Sequence, residues 1–177
     1  MIGLARDTVK VVPYQEIWNE SFKKECDLLY SIMGNSALQI EHIGSTSIAG
    51  MCAKPIIDLV VVISSLGEGR NWIPKLEAAG YEFRAKNEPP DRIFLAKGEH
   101  ACRTHHLSLT GAESQFFREK ILFRDYLREN HQAFEEYKQL KLRLAEKFAG
   151  ERASYTDGKA EFVRKILNLA EDKIAKR

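Results

Sequence analysis

The chain has only three cysteines among its 177 residues, and their odd number and lack of CxxC spacing argue against a disulfide framework or a zinc knuckle. It contains no apolar run close to the roughly 18 residues that a membrane span needs. Its first ten residues lack the apolar core of a signal peptide. The net charge of +2 is too small to indicate a nucleic-acid partner. We therefore expect a cytoplasmic protein that binds neither a membrane nor nucleic acid.

The composition, 44% hydrophobic and 29% charged, is typical of a globular protein, and the length is that of about one domain. Short β-branched runs separated by turns occupy the first part of the chain, and helical periodicity follows Ser114. We predict one domain over residues 1–177 with an α+β fold. It has a mixed β-sheet flanked by helices over residues 9–110 and a C-terminal helical segment over residues 114–176.

Alternation and β-branched content predict strands at "TVKVV", "ALQIEHIG", "PIIDLVVVI", "YEFRAK", "DRIFLAK" and "HHLSL". Apolar residues at helical spacing predict a helix over residues 15–33 and another over residues 72–79. The C-terminal segment contains three further apolar stripes and is expected to form three helices.

A glycine-serine turn, "GSTS", follows the second of these predicted strands. Glycine lets a phosphate approach the backbone closely, and backbone N–H groups and hydroxyls at such a turn can bind the anion. The candidate phosphate-binding residues are Gly44, Ser45, Thr46 and Ser47. The spacing is not that of a Walker loop, so a purely structural turn remains the alternative.

One carboxylate, Asp58, interrupts the apolar run "PIIDLVVVI". An unpaired carboxylate on a buried strand would be costly, so it needs a cation. A hard divalent ion is the natural choice, because magnesium shares its ligand shell between carboxylates and substrate phosphates.

The stretch "IEHIGSTSIAGMCAKPIIDL" resembles the GrpB-like family within the nucleotidyltransferase superfamily. The segments "YQEIWNESFKKE", "FRDYLREN" and "RASYTDGKAEFV" are also similar to that family, so the resemblance covers nearly the whole chain. It implies a nucleotidyltransferase-like fold that binds a nucleoside triphosphate. In the superfamily, carboxylates of the central sheet hold two magnesium ions, which align the α-phosphate with the hydroxyl of an acceptor.

The sequence departs from the superfamily pattern at Val60. Active members carry a second acid two residues after the first, where the side chain points to the same face of the strand, and valine cannot ligate a metal. The candidates for the missing ligand are Glu41, His42, His105 and His106. We expect a divalent metal, magnesium or manganese, held by Asp58, Glu41, His42 and His106. Histidine ligands would favour manganese, iron or zinc over magnesium.

From the same candidates we predict catalytic roles for Asp58, Glu41 and His106. Neighbouring strand residues point to opposite faces, so Glu41 and His42 cannot both reach one ligand without a bulge. A structural role for His42 is the alternative: it would bond to the phosphate-binding turn.

Basic and aromatic residues near the last helix supply further candidates for binding the nucleotide. Tyr155 and Lys159 lie four residues apart and share a helix face. With Arg152, and with Lys54 before the Asp58 strand, they form the predicted cofactor-binding set. A solvated helix start is the alternative for the three C-terminal residues. The arginines at 118, 124 and 128 are accompanied by acids, which indicates a solvated face.

Several functions remain open. The first is transfer of a nucleotidyl group from a nucleoside triphosphate to an unknown acceptor. The second is a catalytically degenerate nucleotide- or phosphate-binding module, regulatory or linked to coenzyme A, because domains that this chain resembles occur fused to dephospho-coenzyme A kinases. RNA binding through the C-terminal helices has less support.

Two other sites are weaker alternatives. A Ser-His-Asp triad of Ser45, His106 and Asp58 lacks the GxSxG motif. A zinc site of His100, Cys102 and His105 matches no common ligand spacing.

Overall fold

The computed structural model describes residues 2–5, 8–85, 89–99 and 101–176. Two features of the sequence analysis lie wholly or partly outside these ranges: the candidate zinc ligand His100 and the last residue of the predicted strand "YEFRAK".

The described residues form one five-stranded mixed sheet with the strand order β1-β2-β5-β4-β3. Its strands are β1 (Gln39–Ile43), β2 (Ile57–Val62), β3 (Tyr81–Phe83), β4 (Ile93–Lys97) and β5 (His105–Thr110). β2 and β5 are parallel, and every other neighbouring pair is antiparallel. Five of the six predicted strands are therefore confirmed.

The predicted strand "TVKVV" is wrong. In this segment only Val12 forms a bridge, with Ala53, and the backbone N–H of Val9 bonds instead to the carbonyl of Ala149. Pro13 follows directly and has no N–H to donate, so the pairing cannot extend in that direction.

The helices alternate with and follow the strands. They are α1 (Ile17–Met33), α2 (Leu66–Arg70), α3 (Ile73–Ala78), α4 (Gln115–Glu129), α5 (His131–Lys147), α6 (Arg152–Asp157) and α7 (Ala160–Ala175). The predicted first helix ends as expected at Gly34, which has φ 54°. The last predicted helix is in fact α6 and α7, joined at Gly158, where a Cβ would lie 2.7 Å from the side chain of Leu144 in α5.

The two faces of the sheet have different roles because side chains alternate along each strand. On one face, Ile57, Leu59 and Val61 join the main hydrophobic core together with Trp18 and Leu29 of α1. The opposite face carries Asp58 and Val60 and is covered by the C-terminal helices.

A second apolar cluster holds those helices in place. It consists of Ile48, Met51, Leu127, Ala133, Tyr137 and Ile166, so it joins α4, α5 and α7 to the segment after the glycine-serine turn. The expected α+β fold, a mixed sheet flanked by helices with a C-terminal helical segment, is confirmed. No helix within the described ranges has both the length and the apolar character needed to cross a membrane.

Candidate functional site

A cavity of about 580 Å³ lies between the Asp58 face of the sheet and the C-terminal helices. Its lining combines the glycine-serine turn with many charged side chains. The basic lining residues that the structure describes are Lys54, Lys120, Arg124, Lys141, Lys159 and Arg164, and the acidic ones are Asp58, Glu119 and Asp157. Basic side chains therefore outnumber acidic ones in the lining of the cavity.

The glycine-serine turn forms one wall of this cavity and packs directly against Asp58. Gly44 has φ 70°, and a Cβ at this position would lie 2.6 Å from Oδ2 of Asp58. Gly44, Ser45 and Thr46 line the cavity. Ser47 does not: its hydroxyl donates to the carbonyl of Gly44 at 2.6 Å and so stabilises the turn.

Asp58 and His106 form a pair on adjacent strands. They are register partners in the parallel β2–β5 ladder, and Nδ1 of His106 lies 2.9 Å from Oδ1 of Asp58. Burial raises the pKa of Asp58, but the hydrogen bond with His106 and nearby positive charges outweigh it, so the pKa lies below its ordinary value. Asp58 is thus a carboxylate beside the turn.

Glu41 lies on the same face of the sheet as Asp58 but two residues away along the ladder. It pairs with Val60 in the β1–β2 ladder, while the register partner of Asp58 is Ile43. Arg124 donates to the Glu41 carboxylate at 2.6 Å and to the carbonyl of His42 at 2.9 Å. The acid that is the register partner of Val60 is therefore engaged by an arginine.

This contact also corrects the expectation that Arg124 belongs to a solvated face. Its side chain is buried, and burial alone would lower its pKa. Hydrogen bonds to Asp125 and Glu41 outweigh that effect and raise the pKa. Arg128 donates to the carbonyl of Ser47 at 2.7 Å, so α4 holds the turn through two arginines.

His42 and His105 point to the opposite face of the sheet from Asp58. The ring of His42 stacks on Phe22, with 4.6 Å between ring centroids, and bonds to Thr46 Oγ1 at 3.0 Å. Burial lowers the pKa of His42 to about 4, so the imidazole is neutral. Its position therefore fits the alternative role for His42, in which the ring supports the glycine-serine turn.

The four predicted metal ligands are thus divided. Asp58 and His106 lie together, Glu41 is paired with an arginine, and His42 lies on the other face. In the described ranges, no three His, Cys, Asp or Glu side chains are grouped so that they could hold a metal. The predicted four-ligand set is therefore not assembled by the fold.

Three lysines from different elements line the cavity: Lys141 is buried, and Lys54 and Lys159 are partly buried. Nζ of Lys159 lies 4.4 Å, and that of Lys54 5.0 Å, from the ring centroid of Tyr155. Lys141 of α5 donates to the carbonyl of Cys52. Burial lowers the pKa of Lys54 and Lys159 to about 8 and that of Lys141 to about 7. Repulsion by Arg152 adds to the effect at Lys54, and repulsion by neighbouring lysines adds to it at Lys141 and Lys159.

The sequence analysis identified only part of this lysine cluster. Lys54, Tyr155 and Lys159 line the cavity as predicted candidates, whereas Arg152 is not part of the lining and only lowers the pKa of Lys54 and Lys159 from a distance. The described lining residues that it missed include Lys120, Tyr137, Lys141 and Arg164. Lys141 left a signal, because it lies four residues after Tyr137 on an otherwise apolar helix stripe.

Comparison with known proteins identifies close relatives of the whole chain. The family model described as "GrpB protein" matches residues 8–169. Glutamate-rich protein GrpB of Alkalihalophilus pseudofirmus is 37% identical over 172 residues, which cover 95% of this chain and 99% of the relative. The crystal structure of conserved protein GrpB from Enterococcus faecalis has a TM-score of 0.86 at 34% identity and covers 93% of this chain and 99% of that one.

More distant similarities extend to proteins that are named for an activity. A dephospho-CoA kinase of Mycobacterium bovis is 29% identical, and the match covers 88% of this chain but only 44% of the kinase. The Cid1 poly(U) polymerase has a TM-score of 0.45 at 10% identity, over 75% of this chain and 45% of the polymerase, a likeness too weak to support a function. The GrpB family model and relatives carry the assignment: the chain belongs to the GrpB family.

Proposed function

We propose that the protein binds a nucleoside triphosphate in the basic cavity and transfers its nucleotidyl group to an acceptor, with a divalent ion at Asp58. The observation that carries this proposal is the convergence of a glycine-serine turn, one ionised carboxylate and six basic side chains on a single cavity. Its volume of about 580 Å³ lies within the usual range of small-molecule sites, about 300–1,000 Å³.

The lysines favour a ligand with several negative charges. Burial and repulsion by neighbouring basic groups lower the pKa of Lys54, Lys141 and Lys159, so the free cavity holds their positive charges at a cost. A triphosphate would relieve that repulsion and add charge-assisted hydrogen bonds. Backbone N–H groups at Gly44–Thr46 would bind a further phosphate oxygen.

The residues of the site fit one divalent ion and not two. Magnesium is commonly bound by one or two carboxylates together with substrate phosphates and water, and Asp58 supplies one such carboxylate. A second ion would need a second acid, and Val60 and the arginine-bound Glu41 do not provide it. Asp58 would hold the ion, magnesium or manganese, which when bound supplies positive charge to the phosphates.

In this proposal His106 would accept a proton from the acceptor. In the hydrogen bond to Asp58, Nδ1–H donates to the carboxylate, and in the neutral ring Nε2 is then free to accept. The acceptor hydroxyl oxygen would attack the α-phosphorus and form a new P–O bond. The bond to the bridging oxygen breaks, its electron pair leaves with pyrophosphate, and the hydroxyl proton passes to Nε2 of His106.

The second candidate is a module that binds nucleotide or phosphate without transferring it. The specific observation in its favour is that Glu41, the register partner of Val60, is neutralised by Arg124. The similarity to a larger dephospho-CoA kinase suggests a regulatory or coenzyme A-linked role for such a module.

A thermal-shift experiment tests nucleotide binding. Magnesium-ATP at about 100 times its Kd should stabilise the protein by about 2.7 kcal/mol. In Asp58→Asn, the part of this stabilisation that depends on the metal should disappear. Asp157→Asn is the matched control, because Asp157 also lines the cavity but lies away from the turn, on α6.

The result that would overturn the proposal is the absence of any shift with the four common ribonucleoside triphosphates and either magnesium or manganese. Transfer is then separated from binding by incubating the protein with α-labelled ATP and a small-molecule cell extract. Label in a new compound, lost in His106→Gln, supports the enzyme. Binding without labelled product supports the module.

A further inference from the structure

A second, smaller cavity of about 250 Å³ lies on the other side of Asp58. It shares Gly44, Asp58 and Lys120 with the basic cavity, so the two spaces meet at the same carboxylate. We call it the small pocket. Its remaining lining differs in character, since it contains Arg92, the rings of Phe94 and Phe116, and His106.

Arg92 lies in the small pocket with part of its hydrogen-bonding capacity unused. Its guanidinium stacks 3.9 Å above the ring of Phe116, and its buried Nε has no hydrogen-bond partner. Oδ1 of Asp91 lies 3.6 Å from Nη1, beyond hydrogen-bonding distance. A partly exposed guanidinium whose buried Nε–H lacks a partner favours a ligand carboxylate, which pairs with its planar N–H groups.

The sheet register places Arg92 and His106 toward opposite ends of the small pocket. His106 of β5 pairs with Ala96 of β4, and Ser108, two residues further along β5, pairs with Phe94. Arg92 lies two residues before Phe94, just outside β4, and lines the same pocket. The ring of Phe94 therefore lies between Arg92, which would bind the anion, and the Asp58–His106 pair.

The size of the small pocket limits its occupant. A volume of 250 Å³ is the room of about eight water molecules at roughly 30 Å³ each. It is below the lower end of the usual range for drug-sized ligands, about 300 Å³. The small pocket is too small to enclose a polynucleotide or a protein, whereas a single small acid fits.

We propose that the small pocket binds the acceptor, a small hydroxycarboxylic acid with an apolar body, whose carboxylate pairs with Arg92 and whose hydroxyl faces Asp58 and His106. The role as acceptor rests on the proposed nucleotidyl transfer, in which this hydroxyl attacks the α-phosphorus. The binding of the acid itself depends only on the small pocket.

The test is a titration of 4-hydroxyphenylacetate, followed by ligand-observed NMR without nucleotide or metal. Its neutral analogue, 4-hydroxyphenylacetamide, has the same shape and lacks the charge. We expect the acid to bind at least about tenfold more tightly than the amide, the typical effect of a charge-assisted hydrogen bond. Arg92→Gln should lower the affinity for the acid by a similar factor. Arg118→Gln is the control, because Arg118 is exposed and pairs with Glu171.

No binding of the acid, or equal binding of acid and amide to the unaltered protein, would overturn the proposal. Equal affinity of the acid for the unaltered protein and a folded Arg92→Gln variant would do so as well. The comparison of acid and amide needs no variant, so it stands even if Arg92→Gln fails to fold. If the protein binds the acid but not magnesium-ATP, the proposed function is refuted and the small-pocket proposal stands. If it binds magnesium-ATP but not the acid, the small-pocket proposal is refuted and the proposed function stands.

Discussion

Replacement of Lys141 by methionine should stabilise the protein while weakening nucleotide binding. The side chain is almost completely buried, at 2% exposure, and burial lowers its pKa from 10.5 to about 7. At 1.36 kcal/mol per pKa unit, keeping this lysine in the folded state at pH 7 costs roughly 4 kcal/mol. Methionine has a similar length and carries no charge.

The gain is reduced by one lost hydrogen bond. Nζ of Lys141 donates to the carbonyl of Cys52, and leaving a buried acceptor unpaired costs about 1–3 kcal/mol. We therefore expect Lys141→Met to stabilise the protein by about 2 kcal/mol at pH 7. For a chain of this length that corresponds to roughly 4–8 °C in Tm. Thermal unfolding followed by circular dichroism measures it.

The pH dependence gives the sharper test. Because the pKa is lower in the folded state, the unfolded chain binds more protons between pH 7 and 10.5, and the stability of the natural protein rises with pH in this window. Lys141→Met lacks this contribution, so its advantage should shrink steadily above pH 7. Lys138→Met, one turn earlier on α5, is the control. Its side chain is 34% exposed, and its replacement should change stability by no more than about 0.5 kcal/mol.

A lower Tm for Lys141→Met at pH 7, or a difference from the natural protein that does not change with pH, would refute the reasoning. The same variant should bind ATP more weakly, because it removes a positive charge from the cavity. Gain of stability together with loss of binding would be the signature of a residue retained for function.

Two further predictions concern the turn and the lysines. Gly44→Ala should cost about 1–2 kcal/mol of stability and remove the magnesium-dependent part of the stabilisation by ATP, because its Cβ would meet Asp58. Gly34→Ala is the control: it is also at positive φ, but no atom lies within 4 Å of the new Cβ, so it should lower stability without affecting the stabilisation by ATP. Calorimetry near pH 8 in buffers of different ionisation enthalpy should show net proton uptake on ATP binding, because phosphate raises the lowered pKa values of Lys54, Lys141 and Lys159. The first prediction is contradicted if Gly44→Ala and Gly34→Ala change the stabilisation by magnesium-ATP equally. The second is contradicted if ATP binding takes up no protons.

The fold was predictable where local patterns decide it. β-branched runs and apolar spacing identified β1 to β5 and α1, because both depend on which side chains meet a core. "TVKVV" has the same local pattern but meets only Ala53 as a bridge partner, which no local rule reveals. The break between α6 and α7 also depends on a distant residue, Leu144.

The site shows the same limit more strongly. Asp58 and the turn were identified by residue type and resemblance, but the side chain that contacts Asp58 is set by the parallel register of β2 and β5, 48 residues apart along the chain. The engagement of Glu41 by Arg124 spans 83 residues and reverses the interpretation of both. Neither residue type nor spacing contains that information, because strand order is fixed by packing of the whole sheet.

Val60 and the lysine cluster have a common explanation under the proposed function. A second acid in a nucleotidyltransferase site holds a second cation, whose charge neutralises the leaving phosphates. In this cavity the ammonium groups of Lys54, Lys120 and Lys159 lie close enough to Asp58 for its charge to raise their pKa values against the effect of burial. They already supply positive charge beside the carboxylate, and an ammonium group fixed by the fold needs no carboxylate to bind it. A valine at position 60 then costs the site little, whereas a second acid there would compete with the phosphates for the same lysines.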